Sequence, residues 1–420
     1  MSKTSIKILI VAESLDVNDS SATKGRVALI KNLKQCGYEL KVFHYTRKHI
    51  ILPGIECVAI LEKKWTAWYW LSKVQLVIKR WFKINLNTFF EDKLGFSFAF
   101  FNDVKSIKDC LSKENRFAPD WVLTLSKAAS FRSHMAVLKL PNLHEKWLAY
   151  VHDPYPMHCY PEPFNWFQPG HKQKEAFFRE VSKKASYAIF PSQLLNEWME
   201  QYFSGFLDKS IVIPHQASSK MVSKEVLHPD WFQGDSFTIL HAGSLMKPRN
   251  PKGLVEGYQL FLSKNPEARD HSQLLLLGQK SYFKAYLDEK NEEISSLYLS
   301  GGYIDFNTVL ALQNSVSVNV ILEAKADISP FLPGKFPHCV MANKPIIHLG
   351  PEKSETYRLL GNDYQYHAHI DDIKKITVMI ESLYQIWLKN NKTLQLDRQD
   401  LEAYISVSNL EQTFSKITKS

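Results

Sequence analysis

Residues 6–45 read IKILIVAESLDVNDSSATKGRVALIKNLKQCGYELKVFHY, and the order of patterns in this stretch decides the fold class. Ile6 to Ala12 is an apolar run broken only by Lys7, as expected of a strand covered on both faces. The polar segment Glu13 to Thr23 follows as a loop. Lys24 to Cys36 then reads as a helix, with Gly37 placed to end it. Tyr38 to Tyr45 alternates like a second strand. This strand–helix–strand opening predicts a βαβ unit, and so a parallel sheet with right-handed crossovers.

The alternation continues outward from that unit. Trp121–Leu125, Trp147–Val151, Tyr187–Phe190 and Ile211–Ile213 are further strands, and the IVIPH run ending at His215 reads as an exit into a second domain. Thr238–Ala242, Leu274–Gly278, Val316–Leu322 and Ile346–Leu349 restart the pattern. A chain of 420 residues is long for one domain and ample for two, each with its own core. The expected division is 1–213, 214–393 with a hinge near Pro214, and a helical segment 394–420 packing back towards the first domain.

Composition narrows the function classes. Five scattered cysteines with no CxxC pair suit a reducing compartment and not a disulfide framework or structural zinc. The N-terminal apolar run fits a buried strand, not a signal peptide, and no stretch approaches the roughly 20 apolar residues of a membrane span. The expected location is the cytoplasm. A net charge of +9 implies attraction to polyanions: nucleic acid, acidic membrane or phosphorylated substrates.

Two segments of the second half carry the chemistry. In HAGSLMKPRNPKGL, His241 to Leu254, a strand ends at Ala242 and Gly243 and Ser244 allow a tight turn. Asn250 and Pro251 read as N-cap and first helical residue, which places Arg249 beside a helix start that favours an anion. Its guanidinium can grip a diphosphate bidentately. In SPFLPGKFPHCVMANKPIIHLG, Ser329 to Gly350, Pro330, Pro333 and Gly334 shape a rigid loop before a short helix from Lys335 to Ala342, capped by Asn343. Loops at strand carboxyl ends are where open α/β sheets bind ligands, so Lys335 is a second phosphate ligand. The bland alternatives are a surface arginine and a solvated lysine.

The loop SPFLPGKFPHCVMANKPII and the HAGSL…RNPKGL segment resemble the donor-binding signature of glycosyltransferase family 4, within a divergent bacterial polysaccharide-type branch. The resemblance implies a GT-B architecture of two doubly wound, Rossmann-like parallel-sheet domains facing across a cleft. It implies that Arg249 and Lys335 contact the donor diphosphate, with Gly243, Ser244 and Gly334 beside it. His338 stands where the family has a glutamate on the nucleotide ribose. The first acid of the family's paired-acid motif is absent, with Ser329–Pro330 in its region.

The first half holds AYVHDPYPMHCYPEP, Ala149 to Pro163. His152 and Asp153 follow a strand at its carboxyl edge, where they can contact the transferred sugar and orient the acceptor. In the resembling family a His or Asp here lies near the transferred sugar. With His158 these residues match no metal-ligand spacing. The loop Glu13 to Arg26 offers only Gly25 and the small Ser20, Ser21 and Ala22 where the family often has paired glycines.

Glu62 to Phe90 is the most distinctive stretch of the first domain. On a helix over about 65–84, Trp70, Val74, Val77, Ile78, Trp81 and Ile84 share one face, and Lys73, Lys79, Arg80 and Lys83 fall opposite. Such a helix suits an anionic membrane interface, or alternatively a core contact with a solvated basic face. No nucleic-acid reader motif is present.

These readings converge on a metal-independent transfer of a sugar from a nucleoside diphosphate to an acceptor hydroxyl, and the resemblance to family 4 implies retention of the anomeric configuration. No cofactor is expected, the UDP- or GDP-linked sugar being a substrate, and the absence of an Asp-x-Asp triplet agrees with this. The expected acceptor is a glycan or lipid-linked acceptor, and with the membrane-facing helix the resemblance implies bacterial surface polysaccharide or glycolipid assembly at the inner face of the cell membrane. The rivals are a sugar-nucleotide epimerase of the same fold and a non-catalytic partner in a glycan-assembly complex.

Overall fold

The computed structural model describes residues 5–19, 21–217 and 228–418; Ser20 of the first-domain loop lies outside them. The chain divides into two compact units, Met1–Gln216 with Ile405–Ser420, and Ala217–Tyr404.

The first unit runs β1 (Lys7–Ala12), α1 (Ser21–Gln35), β2 (Glu39–His44), β3 (Glu56–Ala59), α2 (Ala67–Phe82), α3 (Leu86–Leu94), α4 (Phe98–Leu111), β4 (Trp121–Leu125), α5 (Arg132–Leu138), β5 (Trp147–Tyr150), α6 (His171–Lys184), β6 (Tyr187–Phe190), α7 (Gln193–Glu200) and β7 (Ser210–Val212). Its seven strands are all parallel, in the order β3-β2-β1-β4-β5-β6-β7. The order reverses between β1 and β4. β1 is apolar at successive positions because both faces are covered: Leu9 and Val11 join a core with Trp147 and Phe178, while Ile8 and Ile10 join another with Leu29, Ile30 and Leu33.

The second unit runs β8 (Phe237–Ala242), α8 (Lys252–Lys264), β9 (Ser272–Leu277), α9 (Lys284–Glu293), β10 (Leu297–Leu299), α10 (Phe306–Ser315), β11 (Val318–Leu322), β12 (Ile328–Ser329), α11 (Phe336–Met341), β13 (Ile346–Leu349), β14 (Lys353–Ser354), α12 (Glu355–Leu360), β15 (His367–Ala368), α13 (Ile373–Lys389) and α14 (Gln399–Tyr404). Its main sheet is parallel throughout, β10-β9-β8-β11-β13-β15, and reverses between β8 and β11. α8 lies close against the chain around α13. A Cβ at Gly253 would sit 2.1 Å from the Ile370 carbonyl oxygen, so this contact needs glycine. The last helix, α15 (Val407–Thr418), belongs to the first unit, where Leu410, Phe414 and Ile417 join the core that holds α1.

The boundaries differ from the sequence reading in instructive places. α1 starts at Ser21, three residues before the expected Lys24, and α8 starts at Lys252 with Pro251 as its N-cap. β3, β10 and β15 were not anticipated; each has four residues or fewer and too little pattern to register. The basic aromatic helix ends at Phe82 because Lys83 turns left-handed at φ +55°, so Ile84 falls outside α2 and off its apolar face.

α2 is inside out. Thr66 caps it, accepting from Tyr69 N, and Trp68 packs on Phe98 and Phe101 at ring distances of 5.9 and 4.9 Å. Its buried residues are the polar Ser72 and Gln75. Trp70 (53%) and Trp81 (78%) stand exposed with Val74 and Val77, beside the exposed Lys73, Lys79, Arg80 and Lys83. Ile78 is half-buried. No described helix is long and apolar enough to cross a membrane.

Candidate functional site

In the second unit the sheet reversal places the ends of β8 and β11 side by side, and loops leaving the carboxyl ends at such a point form the usual ligand crevice of an open α/β sheet. The turn after β8 is fixed by backbone. Gly243 N donates to Leu277 O at 2.8 Å, and Leu245 N to Gln279 O at 2.9 Å. Gly278, at φ +137°, lies so close that a Cβ there would meet Gly243 O at 2.4 Å. The other end of the loop is pinned by Lys325 N donating to Pro248 O at 2.9 Å. Asn250 Oδ1 accepts from Lys252 N at 3.0 Å and shapes the entry to α8.

Arg249 sits on this loop. Burial lowers its guanidinium from the ordinary value, with Glu323 opposing, and its Nε is buried without a hydrogen-bond partner. Lys335 arrives from the Pro333–Lys335 turn, where Phe336 N donates to Pro333 O at 2.8 Å. Its Nζ lies 3.3 Å from His241 Nδ1, and a Cβ on Gly243 would stand 3.2 Å from Nζ. Glycine at 243 therefore admits the ammonium. Burial brings the Lys335 amine down to about 7; nearby Arg249 pushes it the same way, and Cys339 and Glu323 oppose. Burial, then Lys335, holds His241 well below its ordinary value, so its ring is neutral. Among the described residues neither Arg249 nor Lys335 has an ion-pair partner. Two converging cations without a carboxylate in contact form a site for an anion.

The structure thus brings Gly243, Arg249 and Lys335 together, with His241 as a member the sequence reading had treated only as a strand residue. Ser244 and Gly334 are exposed at the edges of the same turns, and a Cβ on Gly334 would meet nothing within 4 Å. His338 is half-buried on α11, its ring edge-on to Phe306 at 5.4 Å.

Sequence reasoning also missed Glu323, the first residue beyond β11. Its side chain is 3% exposed. Oε1 accepts from Thr356 Oγ1 at 2.6 Å and Ser354 Oγ at 3.1 Å, with His348 Nε2 at 3.4 Å. Burial acts to raise its carboxyl, but His348 and the hydrogen bond from Thr356, with a smaller influence of Ser329, outweigh it and hold the group below the usual value. Oε2 has no partner. The signal was available: an acid directly after a buried parallel strand sits at the ligand edge of the sheet.

In the first unit, His152 and Asp153 follow β5 as expected. The His152 ring stacks on Phe131 at 6.2 Å, and its Nε2 lies 3.6 Å from Asp153 Oδ2, too long for a hydrogen bond. Burial, reinforced by Arg26 and His215, keeps His152 neutral. Asp153 retains 31% side-chain exposure, yet burial pushes its carboxyl up to about 7 against the pull of Arg26. Arg26 is buried, donating from Nη1 to Ser126 O at 2.8 Å and from Nη2 to Thr23 Oγ1 at 2.6 Å. It lines a cavity of about 30 Å3 with Gly25, Tyr150, His152 and His215. His158 is elsewhere engaged, stacked on Phe167 and 3.3 Å from Glu175. No three His, Cys, Asp or Glu side chains form a metal-binding group among the described residues.

The chain matches no protein-family model and no curated protein sequence. Solved structures do match over nearly its whole length. A glycosyltransferase from Rickettsia africae aligns at 14% identity and TM-score 0.61, covering 99% of this chain and 98% of its own. HepE from Anabaena, solved with UDP and glucose, aligns at 11% identity and TM-score 0.59, covering 99% of each chain. A UDP-forming trehalose-phosphate synthase from Burkholderia vietnamiensis aligns at 12% identity and TM-score 0.60, covering 98% of this chain and 99% of its own. At such identities the likeness is one of fold, and the two parallel α/β units have the GT-B fold of glycosyltransferases.

Proposed function

We propose that this protein is a glycosyltransferase that moves a sugar from a nucleoside diphosphate to an acceptor hydroxyl. The observation that carries the reading is the approach of Lys335 to the Gly243 turn, whose loop carries Arg249 with its Nε buried and unpartnered, the two cations acting on each other electrostatically. Breaking the bond from the anomeric carbon to the diphosphate leaves an electron pair, and so charge, on the diphosphate. Two fixed cations in a protected site stabilise that charge more in the transition state than in the ground state, which makes the reaction metal-independent in this reading. The solved neighbours include HepE in complex with UDP and glucose and with UDP-glucose, which supports a nucleotide-sugar donor. His152 and Asp153 are assigned to the first unit's share, Asp153 holding the acceptor hydroxyl; the donor side adds Ser244, Gly334 and His338. Retention of configuration follows from the resemblance to family 4.

The same proposal places the enzyme in bacterial surface glycan assembly, peripheral to the cytoplasmic face of the membrane. The exposed Trp70 and Trp81 of α2, with Lys73, Lys79, Arg80 and Lys83 also exposed on and just after the same helix, support an anionic lipid surface. Thermal shift with UDP, GDP, ADP and their sugar conjugates tests the donor reading, because a ligand of the folded state raises the melting temperature. A rise with one nucleotide family, lost in Arg249→Ala, is expected; no rise across the panel removes the proposal.

A further inference from the structure

Three buried polar atoms in the second unit have no partner and share one locality: His241 Nε2, Arg249 Nε and Glu323 Oε2. His241 is the penultimate residue of β8, Glu323 the first residue beyond the neighbouring β11, and Arg249 sits on the loop that leaves β8. Electrostatics ties them together, since Glu323 acts on both Arg249 and Lys335, and Lys335 acts on His241. Arg249, with Lys335 beside His241, recognises an anion. Glu323 is itself an anion, and a phosphate oxygen beside it would be repelled.

The Glu323 carboxylate is built for one free oxygen. Ser354, Thr356 and His348 occupy Oε1 and fix the group's orientation, while Oε2 stays bare. Space beside it is kept by Gly350: a Cβ there would come within 3.2 Å of Oε2 and 2.9 Å of His348 Nε2. A buried carboxylate oxygen without a donor costs free energy that a ligand hydroxyl recovers, and a hydrogen bond to a charged acceptor is among the stronger ones. On each side of a nucleotide sugar's diphosphate stands a hydroxyl-bearing ring.

We infer that Glu323 Oε2 accepts a hydrogen bond from a sugar hydroxyl of the donor whose diphosphate is held by Arg249 and Lys335. Glu323 is therefore a specificity residue, selecting phosphate esters that carry a sugar over bare polyphosphate. The inference rests on the donor-site reading above and adds the group that distinguishes sugar from phosphate.

Calorimetric titration of wild type, Glu323→Gln and Glu323→Asp with pyrophosphate, UDP, UDP-glucose, GDP and GDP-mannose tests it. Pyrophosphate touches only the cations, so removing a neighbouring negative charge in Glu323→Gln leaves its affinity unchanged or tightens it. The sugar-bearing ligand of the preferred base weakens about tenfold or more in both variants, the loss expected for a charge-assisted hydrogen bond. If UDP or GDP keeps its affinity and only the sugar conjugate weakens, the hydroxyl is on the transferred sugar; if both weaken together, it is on the ribose. Equal weakening of pyrophosphate and sugar ligands means a structural role and overturns the inference, as does no change in any ligand. Wild type that binds none of the five fails the donor-site reading itself, a result separate from either.

Discussion

Donor affinity should depend on pH through Lys335. Burial brings this amine down to about 7 from an ordinary 10.5, so the empty site is a mixture of charged and neutral lysine at neutral pH. A nucleotide sugar such as UDP-glucose carries no phosphate ionisation in the neutral range, and Arg249 stays charged throughout. His241 is held well below its ordinary value and stays neutral. Lys335 is then the group in the cluster that titrates. Its charged fraction falls from about 90% at pH 6 to about 10% at pH 8, so affinity should fall about tenfold over that interval. The sign follows from linkage: the diphosphate prefers the ammonium, binding raises the amine's pKa, and complex formation takes up a proton whenever pH exceeds about 7. Titration calorimetry in two buffers of different ionisation enthalpy measures that uptake, about 0.9 proton per site at pH 8. Lys335→Met should abolish both the uptake and most of the affinity. An affinity constant from pH 6 to 8, with no proton uptake, refutes the placement of Lys335 on the diphosphate.

Arg249→Lys should fail to rescue Arg249→Ala, each losing donor affinity by about tenfold or more, because an ammonium cannot reproduce the guanidinium fork; titration with UDP-glucose and GDP-mannose checks this, and full recovery by lysine contradicts a bidentate grip. Trp70→Gln with Trp81→Gln should cut binding to anionic vesicles without changing the melting temperature, since both rings are exposed. Unchanged co-sedimentation with those vesicles would show that α2 does not dock there. Asp153, raised to about 7 in the folded chain from an ordinary 3.8, contributes stability that is present below the lower value and lost as pH rises through the higher one. Asp153→Asn should therefore gain melting temperature over wild type at pH 8 and not at pH 4, and a pH-independent difference counts against the raised carboxyl.

Physical reasons separate what was legible from what was not. β4, β6 and β13 were delimited to the residue because each is a compact, mostly apolar and almost wholly buried run. The two-residue β15 offers no such run. On the site, Arg249 and Lys335 stood out through the glycine and proline turns around them. His241 was passed over because its chemistry depends on adjacency of β8 and β11, segments about eighty residues apart in sequence that only the sheet brings together; for Glu323 the sequence shows its place after a buried strand but not its unpartnered oxygen. α2 shows the opposite case: the helical projection identified its apolar face, but only the fold shows Ser72 and Gln75 turned inward and the tryptophans left outside.

Release of nucleoside diphosphate from a panel of nucleotide sugars, measured with bacterial membrane extract as the acceptor source, bears most directly on the proposed activity. Wild type should release one nucleotide preferentially and add its sugar to extract glycan or glycolipid, and Arg249→Ala should lose the release while keeping its melting temperature. Release equal in wild type and Arg249→Ala, or none from any donor, would contradict a glycosyl transfer driven from this site.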